Sequence, residues 1–485
     1  METVVKTDTS VLKGVPKVAI IGAGVSGLIS ARHLKDIAHI KVYESKQDIG
    51  GCWLYTEESE RNHPDLDSNA YYKLYGNLHS SLYHNLLTNI PKECMTWKDH
   101  YHHEDTPYIM PSETFLEYIR EYVDKFELTQ YIEFNRAVTS LRRVEETEEN
   151  SHKFKIEHVH TNTKEESEVV EEYFDYVMVC NGHFSTPKIP DFKGKDNFKG
   201  FQMHMHELRK MEPEDFDDKN VLIVGSCFSA HDLVINILFR EDTKDLVHPK
   251  KVFITSRSTT LLEKSEDYKD IQNQNLLEIK SGNIDEIKED SVVFGDGSEE
   301  QIDTIIYATG YKYSFPFIDP DQKIVEFDSK GTNGSYFGPL YKKMFCINEP
   351  NIFFIGVVER ILIIHSTYER QILLAKEVIQ GKITLPSKQE MLEDLASEIE
   401  NHEKYGKDLS YFYRFNPAGY TYADYNKDLE ALTSMEIDTT NYSALKPANE
   451  ARSELMKAGN EVQIKNIDYS EYLDGIEFKP TSSTF

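Results

Sequence analysis

The chain has 485 residues, 39% of them hydrophobic and 12% aromatic, which suffices for two sizeable cores and argues against wholesale disorder. Its formal charge of -29 at pH 7 disfavours nucleic acid or an anionic lipid surface as a partner, and an anionic cofactor would need local cations. That charge can be read as serving solubility or as attracting cationic amine substrates.

Met1 to Gly14 mix charged and hydroxyl residues without an apolar run, so no signal peptide is expected. Lys17-Val18-Ala19-Ile20-Ile21 is a β-rich run ending in glycines; Leu28, Ala31 and Leu34 then fall at helical spacing, and Ile40 to Tyr43 return as a strand. This is one βαβ unit. Met110 to Phe126 predict an amphipathic helix opened by Pro111-Ser112-Glu113, and Phe154 to Tyr176 predict strands around a polar turn. A second βαβ pattern starts at Asn220-Val221-Leu222-Ile223-Val224, runs as a helix from Ala230 to Phe239, and ends on the strand Val252 to Thr255. Ser291 to Gly297 predict a hairpin, and the strand Thr304 to Tyr307 leads to Ala308-Thr309-Gly310, where the chain is expected to re-enter the first domain. Gln389 to Asn401 predict an acidic helix, Tyr405 to Tyr425 carry no chemical motif, and the chain from Ser453 onward is expected to wrap loosely on the surface. The fold class is α/β with two Rossmann-like dinucleotide-binding domains, divided as 1–200, 201–308 (the insert) and 309–485.

The most apolar longer window, Val221 to Phe239, is broken by Ser226, Ser229, His231, Asp232 and Asn236, so no spanning helix is expected. Cys52, Cys94, Cys180, Cys227 and Cys346 are scattered and unpaired in sequence, which indicates neither a disulfide framework nor a metal site. A cytoplasmic location follows, with no membrane partner and a homo-oligomer as the default.

Gly22-Ala23-Gly24-Val25-Ser26-Gly27 follows a strand and opens a helix, so its glycines permit a tight turn and close approach of backbone N–H groups to a pyrophosphate. Glu44 stands at the end of the next strand, about the ~20-residue distance at which a carboxylate accepts from a ribose 2′-hydroxyl. A carboxylate there repels a 2′-phosphate, so this turn suits FAD or NAD rather than NADPH. Gly50-Gly51-Cys52-Trp53 adds a flexible loop beside a large aromatic ring. The second turn, Gly225-Ser226-Cys227-Phe228-Ser229-Ala230, keeps only its first glycine. Arg257 follows Ser256 at the end of its second strand, where a guanidinium can pair with a 2′-phosphate, so this turn suits NADPH. Cys227 is expected to be a small buried packing residue that loosens pyrophosphate binding, not a reactive thiol.

These turns, together with Phe198-Lys199-Gly200-Phe201-Gln202-Met203-His204, Cys180-Asn181-Gly182-His183-Phe184-Ser185-Thr186-Pro187, Leu87-Thr88-Asn89-Ile90-Pro91-Lys92-Glu93 and Ala308-Thr309-Gly310-Tyr311, resemble the flavin-containing monooxygenase family of class B flavoprotein monooxygenases. The order and spacing fit over roughly residues 16 to 375. Leu208 stands where the family signature has Tyr or Phe, and the Trp of the Baeyer–Villiger branch is missing. The Leu-Thr-Asn-x-Pro-Lys-Glu run looks closer to soluble yeast and insect members, some of which N-oxygenate alkaloids, than to microsomal mammalian ones.

The resemblance implies that NADPH reduces FAD, dioxygen adds at flavin carbon 4a, and the hydroperoxide passes one oxygen atom to a soft nitrogen or sulfur nucleophile, such as a tertiary amine, an alkaloid or a thioether. It implies FAD contacts from Gly22, Gly24, Ser26, Gly27, Glu44, Gly51 and Trp53, NADPH contacts from Gly225, Ser226, Ser229 and Arg257, further contacts from Thr309, Gly310 and Gln371, and no metal. Asn89 is the polar side chain expected beside the flavin; alternatively it caps the turn before Ile90-Pro91. His204 and His365 can be read as structural histidines or as proton carriers. Other readings are ketone oxygenation, an uncoupled NADPH oxidase or reductase, and a cofactor-binding relic that serves as an interaction protein.

Overall fold

A computed structural model of the protein describes residues 14–57, 79–145, 151–161, 168–238, 247–256, 275–327, 331–359, 364–406, 408–415 and 419–433. In chain order the strands that matter here are β1 (Lys17–Ile21), β2 (His39–Tyr43), β3 (Ile132–Glu133), β4 (Tyr176–Val179), β5 (Thr186–Pro187), β6 (Phe201–His204), β7 (Asn220–Val224), β8 (Lys251–Ser256), β9 (Leu277–Ser281), β10 (Thr304–Tyr307), β11 (Tyr311–Lys312), β12 (Leu340–Tyr341), β13 (Phe345–Cys346) and β14 (Ile352–Phe354). The helices used below are α1 (Val25–Leu34), α2 (Ser112–Lys125), α3 (Phe228–Leu238), α4 (Ile364–Ile379), α5 (Lys388–Lys404) and α6 (Tyr422–Glu430).

β1 and β7 are continuous apolar runs, with Val18 to Ile21 and Val221 to Val224 all buried, as strands covered on both faces must be. Each nucleates a largely parallel sheet. The first has the order β12-β13-β14-β4-β1-β2-β3, and the second the order β9-β8-β7-β10-β6. β1 pairs in parallel with β2 on one side and β4 on the other, and β7 with β8 and β10 in the same way. In both sheets the chain leaves the central strand toward one neighbour and later fills the other side, which opens a crevice at the carboxyl ends of the strands. α1 buries Leu28, Ile29, Ala31 and Leu34, and α3 buries Ala230, Leu233, Val234 and Ile237.

The first sheet draws strands from before and after the second, so the second is an insert in the first, as expected from the twin βαβ pattern. The chain crosses between them on β5 and β11, which pair antiparallel with Thr186 opposite Lys312 and Pro187 opposite Tyr311. Smaller antiparallel sheets flank the two. Ser291–Phe294 turns back through Gly297 to pair antiparallel with Glu299–Gln301, the expected hairpin, and Ile284–Ile287 adds a third strand on its other side. Among the described residues no helix is long and apolar enough to cross a membrane. The segment from Ser453 lies outside the described residues.

Candidate dinucleotide sites

The two glycine turns share one geometry. Gly22 has φ +104°, its N–H donates to the Tyr43 carbonyl at 2.8 Å, and a Cβ there would lie 2.6 Å from the Cys180 carbonyl oxygen. Gly225 has φ +128°, its N–H donates to the Thr255 carbonyl at 2.7 Å, and a Cβ would lie 2.2 Å from the Ala308 carbonyl oxygen. In each case the turn is locked to one neighbouring strand by a hydrogen bond and pressed against the end of the other, a position only glycine fills.

In the first turn Gly24 is the N-cap of α1 and supplies no side-chain cap, leaving the helix N-terminus to an anionic group. Ser26 and Gly27 lie in the first turn of α1, with Gly27 packed against the Gly22 carbonyl. The Gly50-Gly51 loop lies directly over Gly24: a Cβ on Gly51 would be 2.9 Å from the Gly24 Cα, and the Gly50 N–H donates to the Ala23 carbonyl at 3.1 Å. A third loop arrives at Gly356, where a Cβ would meet the Ser26 hydroxyl at 2.6 Å. The cradle is therefore lined by backbone that any added side chain would fill, which fits a pyrophosphate. Glu44 is buried, and its carboxylate accepts from the Ala23 N–H at 2.7 Å and the Lys46 N–H at 2.9 Å. It thus fixes the turn as well as standing where a ribose would bind, with lone pairs to spare. Lys46, unmarked in the sequence reading, reaches the Gly51 carbonyl, and burial lowers its pKa. It is a cation of the kind this acidic chain needs beside an anionic cofactor.

The second turn departs where the sequence does. Ala230, in the place of the third glycine, is fully buried and accommodated. Cys227, in the place of the middle glycine, is exposed, not buried. Ser226 and Ser229 are half-buried at the start of α3. Arg257 lies outside the described residues, one position beyond β8.

Trp53 sits edge-on to Phe115 of α2, with ring centroids 4.6 Å apart. The segment bearing Asn89 is laced to the start of the same helix: Leu87 bridges Pro111, and the Thr88 N–H donates to the Met110 carbonyl at 2.9 Å. Asn89 is half-buried, and among the described residues its amide makes no hydrogen bond, so it does not cap the following turn. Thr309 and Gly310 belong to the crossing between sheets: the Thr309 hydroxyl donates to the Lys188 carbonyl at 2.5 Å, and the Lys188 N–H to the Gly310 carbonyl at 2.9 Å. Gln371 needs correcting as a flavin contact. It is fully buried, its oxygen accepts from the Gly356 N–H at 3.2 Å, and its amide donates to the Tyr425 hydroxyl at 2.7 Å. It holds the loop that presses on Ser26 and offers no polar atom to a ligand.

The histidines read as structural. Burial pushes His204 down to about 3, and its Nδ1 accepts from the His206 N–H at 3.0 Å. Burial also holds His365 at about 3, among the rings of Trp97 and Phe115. His79, His206 and Glu207 bring potential ligand atoms within 4.8 Å of one another. Arg209 donates to the His206 carbonyl at 2.6 Å, and its fixed positive charge opposes a cation there.

The profile of the flavin-binding monooxygenase-like family matches residues 15–268 and 270–436. The chain belongs to that family. One relative, the flavin-containing monooxygenase FMO GS-OX-like 2 of Arabidopsis thaliana, is 33% identical over 402 residues, covering 80% of this chain and 79% of the relative. Two solved structures resemble this one, each with a TM-score of 0.73. They are the S-allyl-L-cysteine S-oxygenase from Allium sativum (28% identity, 94% of this chain and 99% of that one) and Tmm from Pelagibacter sp. strain HTCC7211 (26%, 95% and 95%). The protein is accordingly a flavin-dependent monooxygenase, and the first glycine cradle with Glu44 fits the FAD of this family.

Proposed function

We propose that this flavin monooxygenase uses NADPH and dioxygen to transfer one oxygen atom to soft sulfur or nitrogen nucleophiles, with thioethers the first class to test. The observation that carries this reading is the pair of equivalent turns at Gly22 and Gly225, one for each dinucleotide, with the unengaged amide of Asn89 on a segment fixed to both halves. Sulfur is placed first because the Allium relative is an S-oxygenase at 28% identity over 94% of this chain.

Bound FAD, once reduced, supplies the activation of dioxygen. The protein's own residues bind and orient. The uncapped start of α1 and the Gly51 loop would hold the FAD pyrophosphate, Glu44 the ribose, and Trp53 would offer an apolar contact to the cofactor. The turn at Gly225 with Ser226 and Ser229 takes the NADPH pyrophosphate, and Arg257 its 2′-phosphate. Asn89, whose amide is unengaged, would offer a hydrogen bond to the bound flavin. Thr309 and Gly310 set the spacing of the two halves, which we divide at 1–200, 201–308 and 309–485. A cytoplasmic location agrees with five free cysteines and no disulfide.

The test is turnover with NADPH under ¹⁸O₂, offering a thioether, a tertiary amine and a cyclic ketone in turn. Expected is a sulfoxide or N-oxide carrying one labelled oxygen, with NADPH and product consumed and formed in equal amounts. Lactone from the ketone would install the Baeyer–Villiger reading, and peroxide without product the oxidase reading.

A further inference from the structure

Residues 79–86 lie against the second sheet's half of the molecule, and residues 87–91 against the first. His79 is hydrogen-bonded to the His206 carbonyl at 3.1 Å, Arg209 donates to the Ser80 carbonyl at 2.8 Å, and the His84 N–H donates to the Arg209 carbonyl at 2.7 Å. The Tyr83 hydroxyl donates to Asp232 of α3 at 2.5 Å, and the Tyr83 and Leu86 side chains pack into the core of the second sheet with Leu208, Ala230 and Leu233. From Leu87 onward the anchors change sides. Leu87 bridges Pro111, the Ser112 N–H donates to the Leu86 carbonyl at 3.0 Å, and Ile90 packs on the core of the first sheet. Asn89 sits just past the changeover.

We propose that this segment is a strap that sets the position of Asn89 according to where the helix opening the second dinucleotide site lies, with Tyr83 and Asp232 as its positioning residues. The Tyr83–Asp232 bond joins a carboxylate five residues into α3 to the same strand of chain that carries Asn89, so a shift of α3 is passed to Asn89 through a stretch fixed at both ends. A hydrogen bond to a carboxylate is the strong, directional kind that can transmit such a shift.

The consequence for oxygen transfer rests on the proposed function; the mechanical consequence does not. The experiment uses FAD-loaded full-length protein and the variants Tyr83→Phe, Asp232→Asn and, as a control that also deletes a buried hydroxyl bond, Tyr413→Phe. Hydrogen exchange is read at the amides of Thr88 and Lys92, and peroxide is measured as a share of NADPH oxidised (NADPH + H⁺ + O₂ giving NADP⁺ + H₂O₂). Tyr83→Phe should speed exchange at Thr88 and Lys92 by about tenfold or more, the effect of losing a hydrogen bond to a carboxylate on a local opening, and Asp232→Asn by about fivefold, since its amide oxygen still accepts but without the charge, while Tyr413→Phe leaves them unchanged. Both should raise the peroxide share without changing the KM for NADPH, and Tyr83→Phe should add nothing in an Asn89→Ala background. Unchanged exchange in Tyr83→Phe, or faster exchange with an unchanged peroxide share, overturns the strap. A wild-type enzyme that yields no oxygenated product overturns the function instead and leaves the exchange comparison to decide the strap.

Discussion

At Gly27 an added Cβ would sit 1.8 Å from the Gly22 carbonyl oxygen, a contact with backbone that no rotamer can relieve. Gly27→Ala therefore has to push α1 off the turn, at a typical overpacking cost of about 1–3 kcal/mol, and the affinity for FAD should fall roughly tenfold. The ratio of flavin to protein absorbance after gel filtration reads this directly; full flavin retention would show that the helix relaxes freely. Glu44→Ala leaves the Ala23 and Lys46 N–H groups without their acceptor, so it should destabilise even the flavin-free protein, by about 1–3 kcal/mol in a urea titration. Glu44 was legible by its spacing from the glycines, but its grip on the turn was not, because that depends on how the chain curls back on itself. Gln371 was misplaced for a related reason. Its distance in sequence from β14 says nothing about which face of α4 it occupies, and it faces Gly356 and Tyr425. Cys227 looked buried because small residues in such turns usually are, whereas its side chain is exposed here.

α5 shows what a single element rests on. Its start is a capping box, in which Ser387 and Glu390 satisfy each other's backbone N–H groups, and its buried side carries Met391 and Leu395. Glu398 on the same helix pairs at 2.5 Å with Lys343, a lysine only 2% exposed whose ammonium also donates to the Phe412 carbonyl and stands 3.4 Å from the Phe412 ring centroid. Removing the carboxylate strands a buried cation, so Glu398→Ala should lower the unfolding free energy by about 3–5 kcal/mol, while Lys343→Met with Glu398→Leu should recover most of it. Chemical denaturation of the three proteins decides the matter; a loss below about 1 kcal/mol in Glu398→Ala would mean water reaches the lysine. The helix itself was readable within a few residues from its acidic, periodic sequence. The strand Ile284–Ile287 was not, since a register shift between Ile284 and Glu286 breaks the alternation by which a strand announces itself. The two βαβ units stood out for the opposite reason: a buried parallel strand ending in glycine is a composition few other elements share.

Across the whole molecule, acid should act first on histidine. His204 and His365 are held at about 3 and His79 at about 4, each mainly by burial, and His79 further by the Arg209 cation. An unfolded chain takes up these protons near pH 6.5, the folded one only near 3 or 4, so the stabilisation is complete above pH 6.5 and lost progressively as pH falls from there. Each such histidine steepens the loss by about 1.4 kcal/mol per pH unit in that window. Melting temperature should be flat from pH 7 to 8 and decline from pH 6.5 downward, with His365→Phe showing a shallower decline; a flat profile to pH 5 would contradict the burial.

The chain enters and leaves the second sheet through one doorway. Lys188 and Gly310 are hydrogen-bonded neighbours, although the whole of the second sheet lies between them in sequence. Whatever is threaded through that doorway can grow, shrink or be exchanged without rerouting the chain of the outer frame, because its two ends leave that frame side by side. One condition on any replacement is set from outside: it has to present a surface on which residues 79–86 can lie.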